Sequence, residues 1–338
     1  MCPASPRRSR RLLTALALTA TLVLAACGGG DSDTSTASDG GGAGLQVATS
    51  IAPFADLVSQ VAGDRAEVSS IVPAGVDGHT YEPTPGDVRI LSEVDLLILP
   101  DVELNPVVSS LAVDNLPDDA DMVDLNALVV PEDEVIFADS HSHGDEAAHG
   151  HQRNVHTWTH LPYAKAMVGA ITTALTDADP DGTDVYEANS EALIGELDTL
   201  IAATQQALAT VPDENRTLVV YHDSWSYFGR FYDFDVQGAL QAVNFAEPSA
   251  AELRTMVGQV QAAGVPAFFG SEVFPTSVLE QVASESGVDY VGNLSDDKLP
   301  GEPGDPGHSY VGMMTENVRL IVEGLGGDAS ALDAVTTS

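Results

Sequence analysis

Short apolar runs alternate with amphipathic stretches along most of the chain. Gln46 to Ile51 predicts a strand. Phe54 to Gly63 predicts a helix, with Phe54, Leu57, Val58 and Val61 on one face and Gly63 as its stop. Val68 to Val72 predicts a second strand, a Pro- and Gly-rich loop follows to Pro85, and Asp87 is placed to cap a helix to about Ser92. Asp95 to Leu99 predicts a third strand, apolar almost throughout as buried parallel strands are. Further on, Pro162–Leu175 and Asp184–Val211 keep helical spacing, the latter through Leu193, Leu197, Leu200, Ile201 and Leu208 up to the breaker Pro212. After Pro212 the alternation resumes. Strands are predicted at Thr217–Tyr221, Ala239–Val243, Ala267–Phe269 and from Tyr290. Tyr227–Tyr232 begins or follows a helix, and helices are predicted at Ser249–Ala263, Val278–Ser286 and Val311–Leu325. Ser249 with Glu252 three residues on forms a capping box, and Gly264 and Gly287 mark helix ends.

Strands separated by helices in this order predict an α/β fold: two lobes, each a mostly parallel sheet flanked by helices, joined by one long rigid helix. A helix from Asp184 to Val211 would run roughly 40 Å, enough to bridge two lobes. The expected divisions are a signal segment at 1–26, a tether at 27–44, a first lobe at 45–180, a linking helix at 181–212 and a second lobe at 213–338. In such sheets, binding loops lie at the carboxyl ends of strands.

The N-terminal segment departs from this alternation. Arg7, Arg8, Arg10 and Arg11 precede an uncharged apolar run, Leu12 to Ala26, which is short for a spanning helix and reads as a secretory signal. It ends Leu24-Ala25-Ala26-Cys27-Gly28, which resembles a bacterial lipobox with Cys27 as the lipidated residue. Cys2 would leave with the signal, so a mature chain with one Cys has no internal disulfide. Gly28 to Gly44 is rich in Gly, Ser, Thr, Asp and Ala and reads as a flexible tether. Together these predict an extracytoplasmic domain anchored to the membrane by lipid. Charge changes the picture once more. The chain carries 13 Lys and Arg against 51 Asp and Glu, a formal net charge of −38. That excludes nucleic acid as a natural partner, since phosphate binding needs clustered basic residues.

Histidine is concentrated. Of nine, six fall in one polar tract: His141, His143, His149, His151, His156 and His160. Neutral imidazole is a common ligand for zinc and its neighbours, so a His-rich tract points to metal handling. Outside the tract, His79 follows the strand ending at Val72, and His222 directly follows the strand ending at Tyr221. Asp296 follows the strand from Tyr290, and His156 precedes the helix from Pro162. His79, His156, His222 and Asp296 thus lie on the same topological side of two sheets. Three imidazoles and one carboxylate make a four-coordinate set suited to Zn2+.

Several stretches carrying these residues resemble one family, the metal-binding lipoproteins of bacterial ABC importers for zinc and manganese, known as cluster A-I solute-binding proteins. Val76-Asp-Gly-His-Thr-Tyr-Glu-Pro-Thr-Pro85 resembles its first ligand motif, with Gly78 where Pro is usual. Asn154-Val-His-Thr-Trp-Thr-His160 resembles its Asp-Pro-His-x-Trp-x-Asp motif, with Val155 and His160 as departures. Tyr221-His-Asp-Ser-Trp-Ser-Tyr-Phe228 is close to its His-Asp-x-Phe-x-Tyr-Phe motif. Ser295-Asp296 resembles the last ligand loop, where Asp297 leaves the carboxylate open by one position, and Met313 to Val318 resembles the helix after it.

The resemblance spans about Leu45 to Leu325. It implies two lobes on a rigid helix, and metal held by His79, His156, His222 and Asp296. It also implies, as partners, a membrane permease with its cytoplasmic ATPase. The family's manganese members tend to carry Glu at the third ligand position, so His222 and the His-rich tract resemble the zinc members. Nitrogen-rich sites favour zinc, and manganese prefers oxygen. His141, His143, His149, His151 and His160 stand as auxiliary metal candidates. The chain is read as a monomer.

Other readings are the same import role for Mn2+ or Fe2+, an exported zinc hydrolase with Asp296 or Glu272 as base, and an anchored adhesive protein. No HExxH or nucleophile motif occurs, and the one HxHxD spacing, His141-Ser-His-Gly-Asp145, falls inside the low-complexity His-rich tract, so a non-enzymatic binding role is expected.

Overall fold

The computed structural model describes residues 44–137, 153–221, 223–237, 249–272 and 276–336. The first half is built on a parallel sheet of β1 (Leu45–Thr49), β2 (Ala66–Ser70), β3 (Leu96–Leu99) and β4 (Asp121–Asp124), in the order β2-β1-β3-β4. Helices α1 (Ala52–Ala62), α2 (Pro85–Leu91), α3 (Pro106–Asn115) and α4 (Leu125–Val129) connect and flank it, and α5 (Leu161–Ala178) follows. Every residue of β3 is buried, as its apolar run requires.

α6 (Thr183–Leu208) is the long helix expected from the sequence, 26 residues and about 39 Å of rise. It packs on α1, α5 and α10 (Tyr310–Gly324). Beyond it, β5 (Thr217–Val219) pairs in parallel with β6 (Asp235–Gln237), and β7 (Ala267–Ser271) pairs in parallel with β8 (Asp289–Leu294). A parallel bridge between Val220 and Phe269 links the two pairs. Helices α7 (Ser226–Tyr232), α8 (Ala250–Ala263) and α9 (Thr276–Ser286) complete this half.

The main apolar cluster does not stop at the junction. It runs from Val47, Phe54 and Trp158 through Leu193, Leu197 and Leu200 of α6 to Leu218, Phe269, Met314 and Val318. Smaller clusters cover the outer faces. Ala48, Leu97 and Val108 belong to one on the first sheet, and Val219, Met256, Phe268 and Leu279 to one on the second.

Some local expectations change. α2 is capped by Thr84, whose side chain accepts the Gly86 amide, while Asp87 is the third helical residue and completes the capping box. The Ser249–Glu252 box at α8 forms as expected. The expected strand at Ala239–Val243 lies outside the described residues, and the partner of β5 is found just upstream, at β6. Among the described residues no helix is long and apolar enough to cross a membrane.

Candidate metal centre

The loop after β2 carries His79, and neighbouring polar side chains hold it from several sides. The His79 amide donates to Asp77 Oδ1 at 2.7 Å. Asn105, buried at the start of α3, donates through Nδ2 to the carbonyls of Gly78 (2.8 Å) and Tyr81 (3.0 Å), and its Oδ1 accepts the amides of Val107 and Val108. Tyr81 Oη donates to Asp87 Oδ2 at 2.7 Å, which also takes the Thr84 amide. An irregular loop satisfied in this way gives up little further freedom when a ligand arrives.

His156 sits on the segment before α5 and is 4% exposed. Asn154 Oδ1 lies 3.0 Å from its Nδ1 and accepts its backbone amide at the same distance. A carboxamide oxygen only accepts, so Nδ1 carries the proton and Nε2 keeps its lone pair. Asn154 Nδ2 donates in turn to the Asp223 carbonyl at 2.7 Å, across the junction.

His156 Nε2 is 2.9 Å from His79 Nε2 and 3.4 Å from Asp296 Oδ2. Two imidazole nitrogens facing each other at that distance need a proton or a cation between them. Trp158, fully buried, lies against the His156 ring with centroids 5.2 Å apart and donates Nε1 to the Asp296 carbonyl at 3.0 Å.

The loop after β8 brings the carboxylates. Asp296 and Asp297 are 3% and 5% exposed. Their amides both donate to Glu272 Oε1, at 2.8 and 3.0 Å. Burial raises the Asp296 carboxyl well above the ordinary range, and the charges of Glu272 and Asp297 raise it further. Burial and then Glu272 raise Asp297. Three acids this close in a dry site call for positive charge. Asp297 Oδ2 accepts the Gly78 amide at 2.8 Å.

Not every sequence candidate joins this group. His222 lies outside the described residues. Of its neighbours, Tyr221 is fully buried and Asp223 is tied to Asn154. His141, His143, His149 and His151 also lie outside them. The described residues flanking that tract pair antiparallel, Phe137 with Arg153, and the Asn154 amide donates to the Ile136 carbonyl at 2.8 Å. Arg153 also reaches buried Asp101 at 3.2 Å. His160 faces elsewhere. It stacks on Phe231 with centroids 3.9 Å apart and meets Tyr163 and Tyr232 edge-on. Burial holds its pKa down at about 4. Among the described residues no three His, Cys, Asp or Glu side chains form a finished metal cage. The sequence named Glu272 only as a hydrolytic base, quoted Asn154 only as the first residue of a motif without a role, and gave no sign of Asn105. Glu272 directly follows β7 and Asn154 stands two residues before His156, while the one sequence signal of Asn105 is its place as a helix cap before Pro106.

Comparison with known proteins shows the family and the fold. A family model described as "ZnuA: Zinc-uptake complex component A periplasmic" matches residues 47–324. The manganese-binding lipoprotein MntA of Halalkalibacterium halodurans is 30% identical over 284 residues, covering 83% of this chain and 89% of that protein. The manganese ABC transporter substrate-binding lipoprotein PsaA of Streptococcus pneumoniae is 27% identical, with the same coverage. Among solved structures, the periplasmic zinc binding protein TroA from Treponema pallidum matches with a TM-score of 0.73 at 26% identity, over 83% of this chain and 99% of that one. The match bears out the two-lobed α/β architecture. The chain belongs to the ZnuA family of metal-binding, non-enzymatic solute-binding components of ABC importers.

Proposed function

We propose that the chain captures Zn2+ outside the cytoplasm with His79, His156, His222 and Asp296 and delivers it to a membrane permease worked by a cytoplasmic ATPase. The observation that carries this is the approach of His156 Nε2 to His79 Nε2 at 2.9 Å and, across the junction of the two halves, to Asp296 Oδ2 at 3.4 Å. Nitrogen donors outnumber oxygen in the set, which favours zinc over manganese. Cys27, lipidated after signal removal, would anchor the domain, with residues 28–44 as its tether. The lipoprotein names of MntA and PsaA support this reading. The domains divide at about 180 and 212, and His141, His143, His149 and His151 gather zinc weakly for the main site.

A core continuous across the junction supports release by loop movement and small lobe shifts rather than wide closure. A large change between metal-free and loaded scattering profiles would count against that.

Manganese is the second reading, favoured by the manganese-binding names of MntA and PsaA and by the carboxylates around Asp296. Metal content by mass spectrometry separates the two. The tetherless protein is stripped, exposed to equimolar Zn2+ and Mn2+, and compared with His222→Ala. One retained zinc that the variant loses supports the proposal. Manganese retention transfers it to the second reading, and no stoichiometric metal in either protein removes the ligand set.

A further inference from the structure

Neighbouring residues Asp296 and Asp297 turn to different partners. Asp296 Oδ2 lies 3.4 Å from His156 Nε2, while Asp297 Oδ2 accepts the Gly78 amide at 2.8 Å. Gly78 precedes His79, so this bond fastens the backbone next to a ligand. It also joins residues 219 positions apart, on opposite sides of α6. Gly78 is held at its other end too, where its carbonyl accepts Asn105 Nδ2. The approach is close. A Cβ on residue 78 would lie 2.9 Å from Ile51 Cγ2 and 3.0 Å from Asp297 Oδ2, so a side chain there would push the two loops apart. Asp297 is 95% buried by its 5% exposure, and its Oδ1 has no hydrogen-bond partner among the described residues. The Gly78 amide is therefore the contact that anchors this carboxyl.

We propose that Asp297 is a positioning residue rather than a ligand: its bond to Gly78 latches the His79 loop against the loop of Asp296, and opening that latch governs how fast metal leaves. The proposal rests on the ligand reading above and resolves the one-residue ambiguity at 296/297. With the latch made, His79 cannot move off without breaking a buried bond. With it broken, the His79 loop keeps its own anchors, Asp77 and Asn105, but loses its hold on the opposite loop. Occupancy at equilibrium changes less than exchange, because the four ligands are intact.

The test uses the tetherless mature chain with Zn2+ alone, comparing Asp297→Ala, the isosteric Asp297→Asn and Asp296→Ala. Two quantities are read: zinc release to an excess of chelator, and hydrogen exchange of the Gly78 amide in the metal-free protein. Asp297→Ala should still bind one zinc, release it on the order of tenfold faster, and lose protection at Gly78. Asp297→Asn keeps an acceptor for the amide and should restore both. Loss of stoichiometric zinc in Asp297→Ala that Asn fails to rescue would make Asp297 a ligand and overturn the proposal. So would an Ala variant with unchanged release and Gly78 protection. Should Asp297→Ala not fold, Asp297→Asn and the parent decide, since an unprotected Gly78 amide in both rules the latch out. If Asp296→Ala keeps its zinc, the ligand reading fails, and Gly78 exchange judges the latch by itself.

Discussion

The halves before and after α6 share a topology and divide the chemistry. The first sheet runs β2-β1-β3-β4. With the Val220–Phe269 bridge, the second runs β6-β5-β7-β8, the same order shifted by four strands. The first half contributes imidazoles, His79 and His156, held by the neutral amides of Asn105 and Asn154. The second contributes Asp296, packed beside Asp297 and Glu272. The first half therefore brings two facing imidazoles that need a proton or a cation between them, and the second brings crowded acids that a cation would relieve. A matching scaffold with unlike donors lets an ion act as the complement of one half and the guest of the other.

Removing a ligand from either half tests this division most strongly. His156→Ala and Asp296→Ala should each weaken metal binding by more than about a hundredfold, beyond the 10- to 100-fold typical of supporting residues, as read by chelator competition. They should part in the metal-free state. Asp296→Ala relieves repulsion and should raise the melting temperature, whereas His156→Ala leaves Asn154 without its partner and should lower it.

Trp158→Ala strikes the tie between the halves. The indole is fully buried, packs edge-on to Phe54 at 5.4 Å and donates to the Asp296 carbonyl. A loss of about 3–5 kcal/mol in denaturant unfolding is expected, together with weakened metal binding.

His160 belongs to the first half but packs on α7 of the second. Its folded pKa, about 4, lies below the ordinary 6.5. The unfolded chain therefore binds the extra proton between those values, and stability falls as pH drops from 6.5 to 4. The full loss is about 3 kcal/mol. His160→Phe should flatten that slope in urea titrations at several pH values. An unchanged slope would assign the acid sensitivity to other groups.

The helix caps give the smallest effects and the finest comparison. Ser249→Ala, at an exposed box, should cost about 1 kcal/mol. Thr84→Ala should cost more, up to about 2 kcal/mol, because Thr84 also donates to the Asp87 carboxylate that takes the Tyr81 hydroxyl. Equal costs would mean that the His79 loop does not lean on its cap.

The parts legible in the sequence were those with strong local periodicity. β3, α6 and α8 declared themselves through an unbroken apolar run, a long helical stripe and a capping box. β4 did not, because Asp121-Met-Val-Asp124 is a short, half-exposed edge strand with an acid at each end. α3 escaped because its apolar residues surround the helix, leaving Val107 and Val113 exposed. At the site, His79, His156 and Asp296 were legible as residues at strand ends or before a helix. Asn105, Glu272 and the Gly78–Asp297 bond were not, since each acts on a backbone group 24 or more positions away. Local pattern carries no record of such pairs.

The apolar cluster that passes from one sheet through α6 to the other also bears on modularity. Swapping one half for a relative's would leave two apolar surfaces shaped for absent neighbours. Chimeras cut at α6 should therefore fold poorly even where each parent is sound, and either half made alone should aggregate. Duplicate topology with an undivided interior makes the halves look like exchangeable parts while obliging them to change together.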